Sequence, residues 1–194
     1  LLAAPESARI RATGRSVSVG EVWDIMSAQA QRYINEATIP DTADAFELQL
    51  FNTLRSQLYR ADYYPIDLTL HADVRGAFSE MVRADGLGQT SISTSVPGIT
   101  RGDHYHLDKI ERFVVIRGTA DIKVRQLGTN EIKTFTVSGD APVVIDMPTL
   151  CTHNITNTGD DELVTLFWAA DHFDPGNPDT YIEPVEIDPA GAPA

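Results

Sequence analysis

The sequence is short of several residue types and patterns, and each shortage argues against a class of protein. Cys151 is the single cysteine, so no disulfide can form within the chain, and we expect a reducing, cytoplasmic compartment. No apolar run approaches the ~20 residues of a membrane-spanning helix, so we expect no membrane segment. The first residues lack the basic and apolar regions of a signal peptide. The chain does not begin with methionine, which leaves open that it is a piece of a longer protein.

Basic residues are also scarce. Lysine and arginine total 15 against 28 aspartate and glutamate residues, which gives a net charge of -13. Nucleic-acid binders carry a basic face, so we expect no nucleic-acid partner. An anionic small molecule would need local cations, and Arg75, Arg101 and Lys109 are the candidates. No Gly-x-Gly-x-x-Gly follows a predicted strand, so we expect no NAD(P) site in this chain.

Hydrophobic periodicity divides the chain into a helical part and a strand-rich part. Ser18 and Glu21 form a capping-box pattern before apolar residues at helical spacing, and a second helix is expected to begin at Pro40 and Asp41. From about residue 64 the pattern changes to short β runs separated by turn residues, which is typical of a sandwich or barrel. The expected strands cover residues 66–70, 79–83, 90–96, 112–116, 120–126, 131–137, 143–147 and 163–169. We therefore predict an all-β fold preceded by two short α-helices.

One stretch of the strand-rich part carries the chemistry. Between Gly98 and Gly118 the chain has five residues, His104-x-His106, four residues, Glu111 and six residues. Alternate residues of a strand point to the same face, so the two imidazoles leave one side together. Two histidines and a carboxylate on neighbouring strands can converge on one first-row metal ion.

A second segment supplies a possible fourth ligand, His153, which follows Pro148 and precedes Asn157. Cys151 lies two residues before His153 and could be a soft ligand or a thiol nucleophile. We favour a small buried side chain, because free cysteine is usually buried as a hydrophobic residue.

The two segments resemble the paired motifs of the cupin superfamily. The first matches in each constrained position, whereas the second has Leu150 where the family usually has glycine, so we expect an altered turn there. The resemblance implies a double-stranded β-helix, or cupin jelly roll, with one divalent metal, most simply zinc, held by His104, His106, Glu111 and His153. Some cupins have lost their metal, and that alternative stays open.

A weaker resemblance is to the nucleotide-sugar 3-epimerases among the cupins. It rests on Asp-Val-Arg-Gly-Ala-Phe-Ser-Glu at 73–80, Gln-Thr-Ser-Ile-Ser at 89–93 and Arg-Gly-Asp-His at 101–104. In that family two arginines contact the nucleotide diphosphate or its neighbourhood, which implies such a role for Arg75 and Arg101. The histidine at the position of His104 is the base in the metal-free members. If His104 binds metal here, the base lies elsewhere.

A more extensive resemblance is to the C-terminal cupin of bifunctional capsule-precursor enzymes of the CapF type. It covers residues 40–185 and rests on the stretches at 96–106, 109–113, 152–157 and 173–181. It implies three segments: residues 1–60, similar to the end of a short-chain reductase domain; a cupin at 61–185; and a tail at 186–194. It also implies C3 epimerisation of a UDP-linked 4-keto-6-deoxy amino sugar in capsule or O-antigen precursor synthesis.

Two proton-transfer residues and one partner complete the expectations. Lys109 and His172 are the candidates for moving the C3 proton. The apolar stripes of the two helices and the open edges of a short barrel predict a homodimer. A metal-dependent dioxygenase and a non-catalytic sugar-binding or dimerisation module remain as alternatives, since the same donor set and the same fold serve other functions.

Overall fold

The computed structural model describes residues 14–58 and 63–187, which form two compact units. One unit contains the helices, within residues up to 36 and from 42 to 64; the other contains residues 37–41 and the chain from 65 onward. The boundary predicted between residues 60 and 61, and most of the predicted tail at 186–194, lie outside the described residues. Neither helix in the described part is long and apolar enough to cross a bilayer.

The helical unit consists of α1 (Val19–Ala30), a π-helical turn (Gln31–Asn35) and α2 (Ala45–Leu58). The predicted cap of α1 is confirmed, because the Ser18 side chain accepts a hydrogen bond from the Glu21 backbone. The start predicted for α2 was wrong by several residues. The chain stays extended through Thr38–Ile39, which pairs with a strand, and the Asp44 carboxylate then caps α2 by accepting from two backbone N–H groups.

Within residues 14–58 and 63–187, twelve strands form two sheets that face each other. The strands are β1 (Thr38–Ile39), β2 (His71–Asp73), β3 (Gly76–Ala84), β4 (Gly88–Ser95), β5 (Thr100–Tyr105), β6 (Glu111–Arg117), β7 (Thr119–Gln126), β8 (Ile132–Ser138), β9 (Val144–Met147), β10 (Cys151–Asn157), β11 (Leu163–Ala169) and β12 (Tyr181–Ile182). The seven-stranded sheet has the order β1-β3-β4-β11-β6-β9, with β2 beside β3, and the five-stranded sheet has the order β12-β5-β10-β7-β8. Every pair is antiparallel except β1 with β3. The predicted all-β jelly roll preceded by two short helices is confirmed.

The strand predicted at residues 66–70 is not formed. Leu68 and Leu70 are 52% and 65% exposed, so these side chains enter no core. The nearby strand is β2 instead, and the carbonyl of Thr69 accepts a hydrogen bond from the Ser79 hydroxyl rather than joining a ladder. An apolar pattern alone did not distinguish this exposed segment from a strand.

The core lies between the sheets and consists of side chains from both. It contains Phe113, Val115, Ala120, Ile122, Val124, Val137, Met147, Ile155 and Leu163. This packing holds β6 of one sheet opposite β10 of the other, and those two strands carry two of the predicted metal ligands.

Candidate metal centre and cavity

The structure brings the four predicted ligand residues together. His104 on β5 is the cross-strand partner of His153 on β10, and their ring centroids are 4.8 Å apart. His106, just beyond the end of β5, has its ring centroid 5.0 Å from that of His104. Glu111 begins β6 in the other sheet. One ligand atom from each residue lies within 4.8 Å of the others, which is compact enough for all four to bind one ion.

Backbone carbonyls orient two of the imidazoles. His106 Nδ1 lies 2.5 Å from the Asp179 carbonyl oxygen, and His153 Nδ1 lies 3.4 Å from that of Cys151. A carbonyl can only accept, so each Nδ1 carries the proton and a neutral ring keeps its lone pair on Nε2. Both Nε2 atoms approach Glu111 Oε2, at 3.0 Å for His106 and 3.8 Å for His153.

The Nε2 lone pairs of the neutral His106 and His153 rings therefore point toward the Glu111 carboxylate, with no proton to share. His153 is 1% exposed, and its Nε2 has no hydrogen-bond partner among the described residues. A buried polar atom without a partner is costly in a folded protein. A divalent cation would satisfy this nitrogen and the neighbouring carboxylate together, so the residues present fit a metal ion.

The electrostatics of the cluster favour the protonation states that a metal requires. Burial lowers the pKa of His153 to about 4, and the nearby charge of His104 adds to this effect. Burial also lowers the pKa of His104. For Glu111 burial acts in the raising direction, but the neighbouring His106 and the cationic Lys109 outweigh it, and the pKa lies below its usual value. His104 and His153 are therefore neutral and the Glu111 carboxylate is ionised near pH 7, the forms that bind metal.

A cavity of about 310 Å³ opens beside the cluster. Its walls combine aromatic rings with a polar stripe on β4, where alternate side chains face inward. The lining residues are Phe78, Glu80, Gln89, Ser91, Ser93, Arg101, Gly102, His104, Lys109, Glu111, Phe113, His153, Ile155, Phe167, Ala169, Asp171 and Phe173. A site of this volume is at the lower end of the ~300–1,000 Å³ of small-molecule pockets.

Two of the predicted cationic residues line this cavity. Arg101 donates from Nε to Ser95 Oγ at 3.0 Å and from Nη2 to the Thr94 carbonyl at 3.2 Å. These bonds use two of the five N–H donors of a guanidinium. Lys109 is 13% exposed, and its ammonium lies 3.9 Å from Glu111 Oε1. Both residues therefore lie within the same cavity as the metal ligands.

The other two predicted residues lie outside the cavity lining. Arg75 forms an exposed ion pair with Asp73, 2.6 Å between Nη2 and Oδ2. Burial lowers the pKa of Arg101, and the positive charge of Arg75 lowers it further. The two arginines are therefore neighbours. His172 donates from Nε2 to the Ala84 carbonyl at 3.1 Å, so its ring is held by the backbone away from the cavity. His172 is not among the residues that line the cavity, and its role in proton transfer stays a prediction.

The cavity also contains carboxylates that sequence reasoning missed. Asp171 lines the cavity, whereas its neighbour His172 does not, because alternate residues from Ala169 to Phe173 face inward. Continuing the alternation of β11 past its end would have identified it. Glu80 also lines the cavity but forms an ion pair with Arg83 at 3.3 Å.

Comparisons with known proteins find similarity to a UDP-sugar reductase and to two proteins named for polysaccharide biosynthesis or assembly. It is 36% identical over 168 residues to UDP-2-acetamido-2,6-beta-L-arabino-hexul-4-ose reductase from Pseudomonas aeruginosa, an alignment that covers 85% of this chain and 44% of that protein. It is 27% identical over 122 residues to the spore coat polysaccharide biosynthesis protein SpsL from Bacillus subtilis, covering 58% of this chain and 81% of the relative.

The fold matches the capsular polysaccharide assembling protein CapF from Staphylococcus aureus, with a TM-score of 0.79 and 38% identity over 87% of this chain and 45% of that one. The chain spans less than half the length of the Pseudomonas and Staphylococcus proteins. The model of the polysaccharide biosynthesis C-terminal domain matches residues 71–181, which is more than half of the chain. The resemblance found in the sequence is confirmed, and the chain belongs to the polysaccharide biosynthesis C-terminal domain family.

Proposed function

We propose that this chain is a metal-dependent cupin that epimerises C3 of a UDP-linked 4-keto-6-deoxy amino sugar during capsule or O-antigen precursor synthesis. The observation that carries the proposal is the convergence of three histidines and a glutamate at one cavity wall, with a buried His153 Nε2 that has no partner among the described residues. The named relatives supply the substrate class, since one is a reductase of a UDP-linked hexul-4-ose.

The four clustered residues would hold one divalent metal, and zinc suits three nitrogen donors and one oxygen donor. Such an ion supplies Lewis-acid polarisation of the C4 ketone oxygen when it is bound. The chain itself must position the sugar, exclude water from C3 and move one proton from one face of the ring to the other.

The proton transfers are assigned to groups that line the cavity. A ketone at C4 acidifies the C3 proton, so inversion needs one group to remove that proton and a second to return one on the opposite face. Lys109 is one group, because its largely buried ammonium lies beside Glu111. Asp171 is the second, since it lines the cavity and its side chain forms no ion pair or hydrogen bond within residues 14–58 and 63–187. No oxidant or reductant is consumed.

The remaining cavity residues suit a sugar with an apolar methyl group at C6 and a charged diphosphate at its other end. Phe78, Phe113, Phe167 and Phe173 offer apolar surface to the C6 methyl group, and the β4 hydroxyls offer hydrogen bonds to ring oxygens. The cavity is small, so we place the diphosphate at its edge, with Arg101 as the principal contact and Arg75 farther out. Guanidinium groups bind phosphate oxygens through paired charge-assisted hydrogen bonds.

The decisive experiment combines metal analysis with proton exchange. Purified chain is assayed for bound metal, and a UDP-4-keto-6-deoxy amino sugar is incubated with it in D₂O without NADPH. We expect about one metal per chain and deuterium entering at C3 by NMR. Single alanine variants of His104, His106, Glu111 and His153 should each lose metal. Full metal content in all four variants would refute the ligand assignment.

The same assay separates the alternatives. Oxygen consumption without deuterium entry at C3 would indicate a dioxygenase. Tight binding of the UDP-sugar with neither exchange nor oxygen uptake would indicate a non-catalytic binding module. Either result would overturn the epimerase proposal.

A further inference from the structure

A C-terminal segment crosses the five-stranded sheet on the face away from the cavity. We call residues 179–186 the strap. Within it β12 pairs with β5, where Ile182 faces His104 and Tyr181 faces Tyr105. The Tyr181 ring stacks on that of Tyr105, with centroids 5.2 Å apart. The strap therefore runs alongside the strand that carries the first metal ligand.

The strap is anchored by buried hydrogen bonds. Arg125 on β7 is 2% exposed and donates to the carbonyls of Val185 and Pro184, at 2.9 and 2.7 Å, and to Glu183 Oε1 at 2.7 Å. Thr152 donates to the Glu183 carbonyl. Val185 itself is 0% exposed. A segment held by a buried arginine and a buried apolar side chain is a fixed part of the structure.

Asp179, at the start of the strap, contacts the metal-ligand region through both its backbone and its side chain. Its carbonyl accepts from Nδ1 of His106, at 2.5 Å. Its carboxylate accepts from three successive backbone N–H groups: Leu107 at 3.1 Å, Asp108 at 2.9 Å and Lys109 at 2.7 Å. The next strap residue, Thr180, lies 3.4 Å from the Lys109 ammonium through its hydroxyl.

We propose that Asp179 is a positioning residue for the metal centre. Its carbonyl selects the His106 tautomer that directs the Nε2 lone pair toward Glu111, and its carboxylate holds the turn from His106 to Lys109. The loop between two ligands is thereby fixed from outside the barrel. This inference rests on the proposed metal centre and adds a residue that touches neither the ion nor the sugar. Partners of this kind typically change metal affinity about 10–100-fold when they are removed.

The test measures zinc affinity of the full chain by competition with a chromogenic chelator. Asp179→Ala keeps the backbone carbonyl but removes the carboxylate that holds the turn from His106 to Lys109, and we expect it to bind zinc about 10–100-fold more weakly than wild type. Asp179→Asn should fall between them, because one amide oxygen can still accept but the nitrogen cannot. Asparagine also tolerates the left-handed φ of 42° at this position. The control is Asp174→Ala, which removes a carboxylate that caps Gly176 in the preceding turn, at 2.8 Å, outside the metal centre.

Two further readouts distinguish positioning from general stability. The Co²⁺ absorption spectrum should shift in Asp179→Ala and stay unchanged in Asp174→Ala, and the metal-free melting temperature shows whether each variant folds. If wild type binds zinc and both Asp179 variants bind it equally well, the positioning role is wrong and the metal centre stands. If wild type binds no zinc, both proposals fail. If Asp179→Ala does not fold, the zinc affinity of Asp179→Asn relative to wild type decides whether Asp179 has the positioning role.

Discussion

His104 and His153 face each other across β5 and β10, and the ladder between these strands slips immediately after them. Gly102 allows this arrangement. It has a φ of 109°, and a Cβ added there would lie 2.7 Å from the His153 carbonyl oxygen and 2.9 Å from the Asn154 Cα. The two ligand strands can approach this closely because glycine has no side chain.

Gly102→Ala should therefore weaken both the fold and the metal centre. We expect the free energy of unfolding to fall by about 1–3 kcal/mol beyond the cost of an unfavourable φ, because the neighbouring atoms are backbone and cannot move aside. Gly128→Ala is the matched control, with a φ of 77° and nothing within 4 Å of the added Cβ. Chemical denaturation and zinc competition should separate the two variants. Equal losses in both would show that close approach at Gly102 has no special importance.

Leu150 has a left-handed φ of 59°, the conformation that favours glycine. Leucine therefore takes a backbone conformation that a glycine would adopt readily, and the altered turn stays a prediction. A left-handed residue with a side chain costs roughly 1–2 kcal/mol. We expect Leu150→Gly to unfold with a free energy equal to wild type or up to about 1 kcal/mol higher, since the gain is partly offset by glycine's greater chain entropy.

Leu150→Val should be less stable than wild type, because a branched Cβ tolerates this conformation poorly. Both variants can be compared by denaturant unfolding. A glycine variant clearly less stable than wild type would mean that packing by the Leu150 side chain outweighs the backbone strain.

Arg101 should contribute more to UDP-sugar binding than Arg75. Arg101→Ala is expected to weaken binding by about 1.5–3 kcal/mol, the range for hydrogen bonds to charged groups, with metal content unchanged and a smaller loss for Arg101→Lys. Arg75→Ala should cost less, because Arg75 is exposed and already paired with Asp73. Calorimetry with a UDP-sugar checks both. Arg101→Ala that binds the sugar normally but loses metal would make Arg101 a structural residue instead.

Lys109 should be needed for proton exchange but not for metal binding. Lys109→Met is expected to slow deuterium entry at C3 by about 10²–10⁴-fold, the usual contribution of a general acid or base. Its backbone N–H, which bonds to Asp179, is retained in the variant. His172→Asn is the control and should exchange at the wild-type rate, since His172 bonds to the Ala84 carbonyl. If deuterium entry at C3 is slow in His172→Asn but normal in Lys109→Met, His172 and not Lys109 is the proton-transfer residue.

The homodimer stays a prediction, and we expect its interface at the exposed edges of the two sheets. Strands β8 and β9 end the two sheets, and Val143, Val144 and Phe135 at these edges are 49%, 51% and 39% exposed. Apolar edge strands favour pairing with another chain. Light scattering at micromolar concentration should give twice the mass of one chain, and Val144→Lys should lower it. A monomeric wild type would contradict the prediction.

The local sequence determined the fold class and the identity of the clustered ligand residues. The alternation of a strand brings His104 and His106 to one side over a two-residue spacing. The short connection before Glu111 then takes the chain to β6 in the other sheet, where the carboxylate lies opposite the two rings. Such short-range geometry follows from backbone periodicity alone. The same is true of the Ser18 cap of α1, where donor and acceptor are three residues apart.

Only the tertiary structure decided which distant residues support the site. Asp179 reaches His106 from 73 positions along the chain, and no local pattern specifies that contact. Arg75 and Arg101 each precede a glycine, yet one is held at the surface by Asp73 and the other enters the cavity wall. Asp171 and His172 are neighbours in sequence but face opposite ways. The reason is physical: strand periodicity says that alternate side chains share a face, whereas the packing of the two sheets decides which face encloses the cavity.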